Sequence, residues 1–206
     1  MRLATYMIYR INSINPQIRL IRKVVEILQN GKVIALPTDT VYALGCRLRD
    51  KKAIEHLYQI KRVDRGHPMS LLCSNLKHIA VYARVSNPAY KELRRYLPGP
   101  YTFILEATRE VPKLMLRKQR TVGIRVPDNL VVQELVKELD EPILTTSAEI
   151  PDYGLFIDAE DINDRIGKLL GCIIDGGILP DERSTIVDLS DEFPVVVRAG
   201  KGPFIT

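Results

Sequence analysis

The chain has 206 residues with 30 Lys and Arg against 25 Asp and Glu, 46% hydrophobic and 27% charged positions, which is the balance of a globular protein with a real core. That composition excludes a disordered chain, a collagen-like repeat and a coiled coil, and no apolar run reaches the roughly 18 residues needed to span a bilayer. A cytoplasmic protein forming one domain over 1–206 is the expectation.

In chain order, Asn15-Pro16 predicts a helix start, and Ile18, Ile21, Val24, Val25 and Leu28 recur at helical spacing until Asn30-Gly31. KVIALP at 32–37 reads as a buried strand closed by Pro37. Asp50 caps a second helix carrying Ala53, Ile54, Leu57 and Ile60, and the RGHP turn at 65–68 leads into the strand MSLLC. Further helices are expected at 75–84, 88–97, 130–139 and 159–169, the third introduced by Pro127-Asp128-Asn129. Strands are expected at 101–106, 121–126, 143–146, 172–174, 185–189 and 194–198, so helices and strands alternate throughout, as in an α/β domain around one sheet. Cys46, Cys73 and Cys172 are an odd, widely spaced set in apolar segments, expected as buried free thiols.

Charge is asymmetric: residues 1–140 hold 25 basic against 12 acidic side chains, and residues 141–206 hold 5 against 13. The dense spots are Arg47, Arg49, Lys51 and Lys52, then Lys61, Arg62 and Arg65, then Arg94 and Arg95, then Lys113, Arg117, Lys118, Arg120 and Arg125. They are either the footprint of a polyanion or solvated faces of separate helices. Hydroxyl-rich loops sit at predicted strand ends: Thr38, Asp39 and Thr40 in PTDTVYALGC, Thr145, Thr146 and Ser147 in LTTSAE, and Ser184 and Thr185 in RSTIVDL. Such loops suit ligand orientation, and equally suit turns that bond their own backbone. YLPGPYTF reads as a structural turn at a strand entry. Arg125 inside the apolar TVGIRVPD strand needs an anionic partner, either an internal Asp or a ligand carboxylate. Arg198 and Lys201 close VVVRAGKG, and His67 lies in the basic turn, whereas His56 and His78 fall in helices. No His, Cys or carboxylate pair has metal-ligand spacing, and no nucleophile stands out, so the pattern suggests a pocket that grips anions.

PTDTVYALG, IKRVDRGHP, LPGPYTFIL, TVGIRVPDN, TTSAE, STIVDL and VVRAG, in that order over residues 37–200, resemble the YrdC family of threonylcarbamoyl-adenylate synthases. The resemblance implies a twisted mixed sheet flanked by helices, with a concave basic face. It also implies an enzyme that joins threonine, bicarbonate and ATP into threonylcarbamoyl-adenylate and pyrophosphate, for N6-threonylcarbamoylation of adenosine in certain tRNAs. Carried over by motif, Thr40, Arg125 and Ser184 would hold threonine, and Lys61 and Arg125 would be the catalytic groups. Lys61, His67, Thr121, Ser147 and Arg198 would serve the nucleotide, with magnesium accompanying ATP. The family's Lys-x-Arg motif stands here as Lys61-Arg62-Val63, its Ser-x-Asn motif as Ser147-Ala148-Glu149, and a common histidine position as Leu72. These departures match the YciO branch. For that branch the alternative is a non-catalytic or divergent module that binds double-stranded RNA or tRNA through Arg62, Arg65, Arg117, Lys118 and Arg120. Aromatic residues at 6% and the absence of Trp disfavour a single-strand reader, which would need stacking rings.

Overall fold

A computed structural model describes residues 7–116 and 119–205. The strands are β1 (Ile8–Arg10), β2 (Ile34–Leu36), β3 (Ala43–Arg47), β4 (Ser70–Leu72), β5 (Ala83–Arg84), β6 (Tyr101–Ala107), β7 (Thr121–Arg125), β8 (Ile143–Ser147), β9 (Glu149–Ile150), β10 (Gly154–Leu155), β11 (Cys172–Asp175), β12 (Thr185–Asp188) and β13 (Val195–Arg198). The helices are α1 (Ile18–Gln29), α2 (Lys51–Lys61), α3 (Leu76–Tyr82), α4 (Asn87–Tyr96), α5 (Leu130–Leu139) and α6 (Ala159–Ile166). Among the described residues, one mixed sheet runs β1-β11-β2-β3-β8-β4-β7-β6-β12-β13 with β5 beside β6, and β9 pairs separately with β10. The expected α/β architecture, a twisted mixed sheet with flanking helices, is the one observed.

Capping chemistry sets the helix starts. The side chains of Asp50, Asn75, Ser86 and Asn129 accept from the backbone N–H groups of Ala53, His78, Ala89 and Val132 respectively, satisfying donors that the first helical turn leaves unpaired. The Asn15-Pro16 start is corrected: α1 begins at Ile18 with Gln17 at its cap and no side-chain cap bond. Asn12 holds the preceding loop instead, accepting from the amides of Ile14 and Asn15. The expected stop holds, with Asn30 at the C-cap and Gly31 at φ 73°, a left-handed conformation that glycine adopts without a Cβ clash.

Two apolar layers sandwich part of the sheet. On one face Leu44, Leu71, Phe103, Leu105, Ile124, Leu144 and Val187 pack with Ile54 and Leu57 of α2, Ile79 of α3, Leu93 of α4 and Ile162 of α6. On the other, Ile34, Leu36, Ala43, Leu72, Ile143, Cys172 and Ile174 meet Ile21, Val24 and Leu28 of α1 and Val132, Leu135 and Val136 of α5. All three cysteines are buried and free, and burial pushes the Cys73 and Cys172 thiols up to about 12. The Leu97–Pro98 peptide at the entry to β6 is cis. No helix among the described residues is long and apolar enough to cross a membrane.

The α1–α5 layer covers only part of its face. Leu72, under that layer, is opposite Arg125 in the β4–β7 register, and Ser70 is opposite both Gly123 and Thr145. Because side chains alternate across a strand, the face that carries Leu72 continues beyond it as Ser70, Gly123, Arg125 and Ile104. That open stretch of sheet, beyond the last helix, is where a ligand can reach the strands.

Candidate active site

A hollow of about 360 Å³ opens on this exposed face, at the small end of the range of ligand sites, which runs from about 300 to 1,000 Å³. Its floor is Ser70, Gly123, Ile104 and Thr102, and its walls include Thr40, His67, Thr121, Arg125, Thr145, Thr146, Ser147, Ser184 and Arg198. Gly123 sits at the middle of the floor. A Cβ there would lie 3.3 Å from Ser70 Cβ and 3.4 Å from both Met69 O and Thr102 Cγ2, so glycine keeps the floor low.

One end is built around Arg125. Its Nη2 donates to Asp39 Oδ1 at 2.9 Å and to Thr40 Oγ1 at 3.0 Å, while Asp39 Oδ2 accepts from the Asp128 amide at 3.0 Å. Of the two partners left open for this arginine, the internal Asp is the one the protein provides. Thr38 holds Thr40 in place, with their hydroxyls 2.9 Å apart and the Thr40 amide donating to Thr38 Oγ1. Burial pulls the Arg125 guanidinium below its ordinary pKa, and Asp39 opposes that pull. Arg125 Nε is buried with no hydrogen-bond partner, a donor whose desolvation costs on the order of 1–3 kcal/mol when unmet.

The opposite end is built on β12 and β13. Ser184 Oγ lies 2.8 Å from Thr102 Oγ1. Arg198 donates through Nε and Nη2 to the Ser184 carbonyl at 3.2 and 2.7 Å, and Nη2 reaches Ser184 Oγ at 3.3 Å. The Arg198 guanidinium is drawn below its usual pKa first by burial and then by neighbouring Arg183, with Glu149 pulling the other way. Lys201 Nζ donates across to the Asp39 carbonyl at 2.6 Å, tying the last loop to the Thr38–Thr40 turn.

Thr40, His67, Thr121, Arg125, Ser147, Ser184 and Arg198 therefore share one hollow. Lys61 does not line it. Its side chain is buried, and its ammonium donates to the carbonyls of Ser147 and Glu149 at 3.0 and 2.6 Å, bracing the wall from α2. Burial lowers the Lys61 pKa; Glu149 raises it and Arg183 lowers it further. Val63 packs partly buried against the core, and Leu72 is fully buried under α1 and α5, so neither departure from the motif pattern changes the hollow's own lining. Glu149 does line it, and its Oε1 accepts from Arg183 Nη2 at 2.5 Å. Arg183 is the charged lining residue that sequence reading missed, as it missed the floor residues Ser70, Thr102, Ile104 and Gly123; for Arg183 its position immediately before Ser184 was the available signal.

Of the candidate RNA-binding cations, the described Arg62, Arg65 and Arg120 are not among the residues that line the hollow. Arg62 pairs with Asp152 and Arg65 with Glu55. Arg120 is exposed ahead of β7 at φ 55°, and Arg117 and Lys118 fall outside the described residues. No group of three or more His, Cys, Asp or Glu able to hold a metal occurs among the described residues. Asp39 and Glu149, the carboxylates nearest the hollow, are each committed to an arginine, so the donor set does not fit a resident magnesium site.

Comparison with known proteins agrees with this fold. The family model Sua5_yciO_yrdC, described as "Telomere recombination", matches residues 26–200. The uncharacterized protein YciO of Escherichia coli is 44% identical over 93% of this chain and 95% of its own. The crystal structure of E. coli YciO superposes with a TM-score of 0.91 at 42% identity, covering 96% of this chain and 97% of that one. A human threonylcarbamoyl-AMP synthase is 32% identical over 82% of this chain and 63% of its own. Sua5 of Pyrococcus abyssi, crystallised with L-threonine, superposes with a TM-score of 0.87 at 27% identity over 94% of this chain and 57% of that one. A family match over residues 26–200, joined to the fold shared with E. coli YciO, places this chain in the Sua5/YciO/YrdC family, close to YciO and related at lower identity to the threonylcarbamoyl-AMP synthases.

Proposed function

We propose that the hollow binds threonine and ATP and supports threonylcarbamoyl-adenylate formation, the chemistry that feeds tRNA N6-threonylcarbamoyladenosine. The observation that carries this reading is the convergence of Thr40, Arg125, Ser184, Thr121, Ser147 and Arg198, far apart in sequence, on a single cleft. The guanidinium of Arg125, beside the Thr40 hydroxyl on the wall of the hollow, sets a fixed positive charge that suits a threonine carboxylate. Arg198 is held by a carbonyl and a hydroxyl rather than a carboxylate, so its charge is available to a phosphate.

In the proposed reaction the threonine amine and bicarbonate form a carbamate with loss of water. A carbamate oxygen then bonds to the α-phosphorus of ATP as the bond to the β-phosphate oxygen breaks, releasing pyrophosphate. The protein's part is to align the two reactants and to set fixed positive charge where phosphate charge builds. Magnesium enters with the ATP phosphates as part of the substrate, because the carboxylates here are already taken. The duplex-RNA alternative draws on charge along the sequence, but Arg62 and Arg65 lie outside the hollow on which the other candidate residues converge, so the hollow is the better supported site.

Incubation with threonine, bicarbonate and millimolar ATP should release pyrophosphate in a threonine-dependent way. Release no greater than that of an Arg198→Ala control, which removes a cation lining the hollow, would remove the synthase reading.

A further inference from the structure

The two ion pairs at the hollow differ in kind. The Arg125–Asp39 pair has side chains only 9% and 8% exposed, and Asp39 is further fixed by the Asp128 amide; it is part of the framework. The Arg183–Glu149 pair has both side chains 39% exposed, with both residues lining the cleft beside Ser184 and Arg198. A half-exposed pair contributes little and exchanges partners readily, whereas a buried one does not.

We infer that Arg183 is a second anion-gripping residue of the hollow, acting beside Arg198, and that the Glu149 carboxylate is its internal competitor for the ligand's phosphate. The inference rests on the reading of the hollow as a nucleotide-phosphate site and names a residue through which that site selects its ligand. A guanidinium and a phosphate match in shape, since two N–H groups can meet two oxygens. The backbone of Glu149 is anchored by Lys61 through its carbonyl, so a displaced Glu149 side chain remains next to the bound anion. Each added ligand charge then meets the carboxylate as well as the arginines. Lys61 and Arg198 are within electrostatic reach of Arg183, each being drawn downward in pKa by it. This cluster of cations favours an anion but, with Glu149 among them, discriminates against the most highly charged ones.

Calorimetric titration of the full chain with ATP, AMP and inorganic pyrophosphate tests this. Glu149→Gln should tighten pyrophosphate and ATP by about five- to tenfold, and AMP by less, since removing the competitor frees Arg183. Arg183→Gln should weaken all three by roughly tenfold or more. Arg183→Lys should recover part of that loss, and Glu149→Gln should gain less in an Arg183→Gln background. A merely structural pair would instead lower thermal stability and ligand affinity together in both variants. If ATP binds but Glu149→Gln leaves affinity unchanged or weaker, the inference is wrong and the nucleotide reading stands. Pyrophosphate binding that follows the expected pattern without any nucleotide binding would keep the inference and reject the nucleotide reading. Binding of none of the three probes overturns both. Should Arg183→Gln fail to fold, the sign of the Glu149→Gln change and the loss in Arg183→Lys still decide the matter.

Discussion

Replacing Asp39 with Ala would strip the buried Arg125 guanidinium of the carboxylate it pairs with and, among the described residues, leave it the Thr40 hydroxyl. Both side chains are more than nine-tenths buried, so water cannot take over the lost contact, and breaking such a pair costs about 3–5 kcal/mol. The Asp128 amide loses its acceptor as well, adding on the order of 1 kcal/mol, which brings the expected loss to about 4 kcal/mol or somewhat more. With a urea m value of about 2–3 kcal/mol/M, the unfolding midpoint should fall by roughly 1.3–2 M with little change in slope. Asp39→Asn, which keeps one acceptor oxygen, should lose less. The decisive variant is Asp39→Asn combined with Arg125→Met: removing the buried charge along with its partner should recover at least half of the Ala loss, because the cost lies in the uncompensated charge. A midpoint shift below about 0.3 M for Asp39→Ala, or a double variant no more stable than the Ala one, would refute the account of this pair as a buried and fixed element.

Gly123→Val should lower stability modestly, since even its Cβ would sit a tight 3.3–3.4 Å from Ser70, the Met69 carbonyl and Thr102, and in the folded protein it should abolish ligand binding measured by calorimetry; unchanged affinity would mean that ligands bind elsewhere. Tyr42→Phe should cost about 1–3 kcal/mol in urea unfolding, because its buried hydroxyl donates to the Gly177 carbonyl at 2.8 Å and accepts from the Gly176 amide at 2.9 Å. Burial holds His78 below the ordinary histidine pKa against the opposing pull of Asp140, and the Ser74 amide donates to its Nδ1 at 3.3 Å. The unfolded chain then binds more protons than the folded one between that lowered pKa and about 6.5, so stability rises with pH through this window and is lost on acidification. Urea midpoints from about pH 5 to 7 should therefore climb less steeply for His78→Gln than for the parent, and equal slopes would contradict the assignment.

How much of this was legible in the sequence differs from element to element. The six helices of the described residues follow from apolar spacing, helped by polar caps in most of them but not in α1, and α5 at Leu130–Leu139 has the limits expected from Asn129 onward, whereas the helix expected at 75–84 gives way to β5 at Ala83–Arg84. The central strands β7 and β8 are equally plain, because Val122 with Ile124 and Ile143 with Leu144 mark short β-branched and apolar stretches between turn-forming residues. By contrast β3, ALGCR, was expected only as a return to small, apolar residues after a loop, since alanine and glycine carry little strand preference. Its place is fixed by neighbours: Gly45 is opposite both Ile34 and Thr145, and a Cβ there would lie 2.8 Å from Ile143 Cγ2. The short strands β1, β5, β9 and β10 were missed for a similar reason, being two or three residues long and defined by pairing rather than by pattern.

The amino-acid order by itself determined most of the helices, the central strands, the free buried cysteines and, through ordered motifs, the family and several residues that line the hollow, among them Thr40, Arg125, Ser184 and Arg198. Only the tertiary structure decided which partner each charge takes: Arg125 with Asp39, Glu149 with Arg183, and Lys61 with two backbone carbonyls. Helical caps and apolar periodicity act between residues close along the chain, so the sequence displays them directly. Ion pairs that span 34 to 86 positions depend on strand register and on where the α1–α5 layer ends, and these are properties of the assembled sheet.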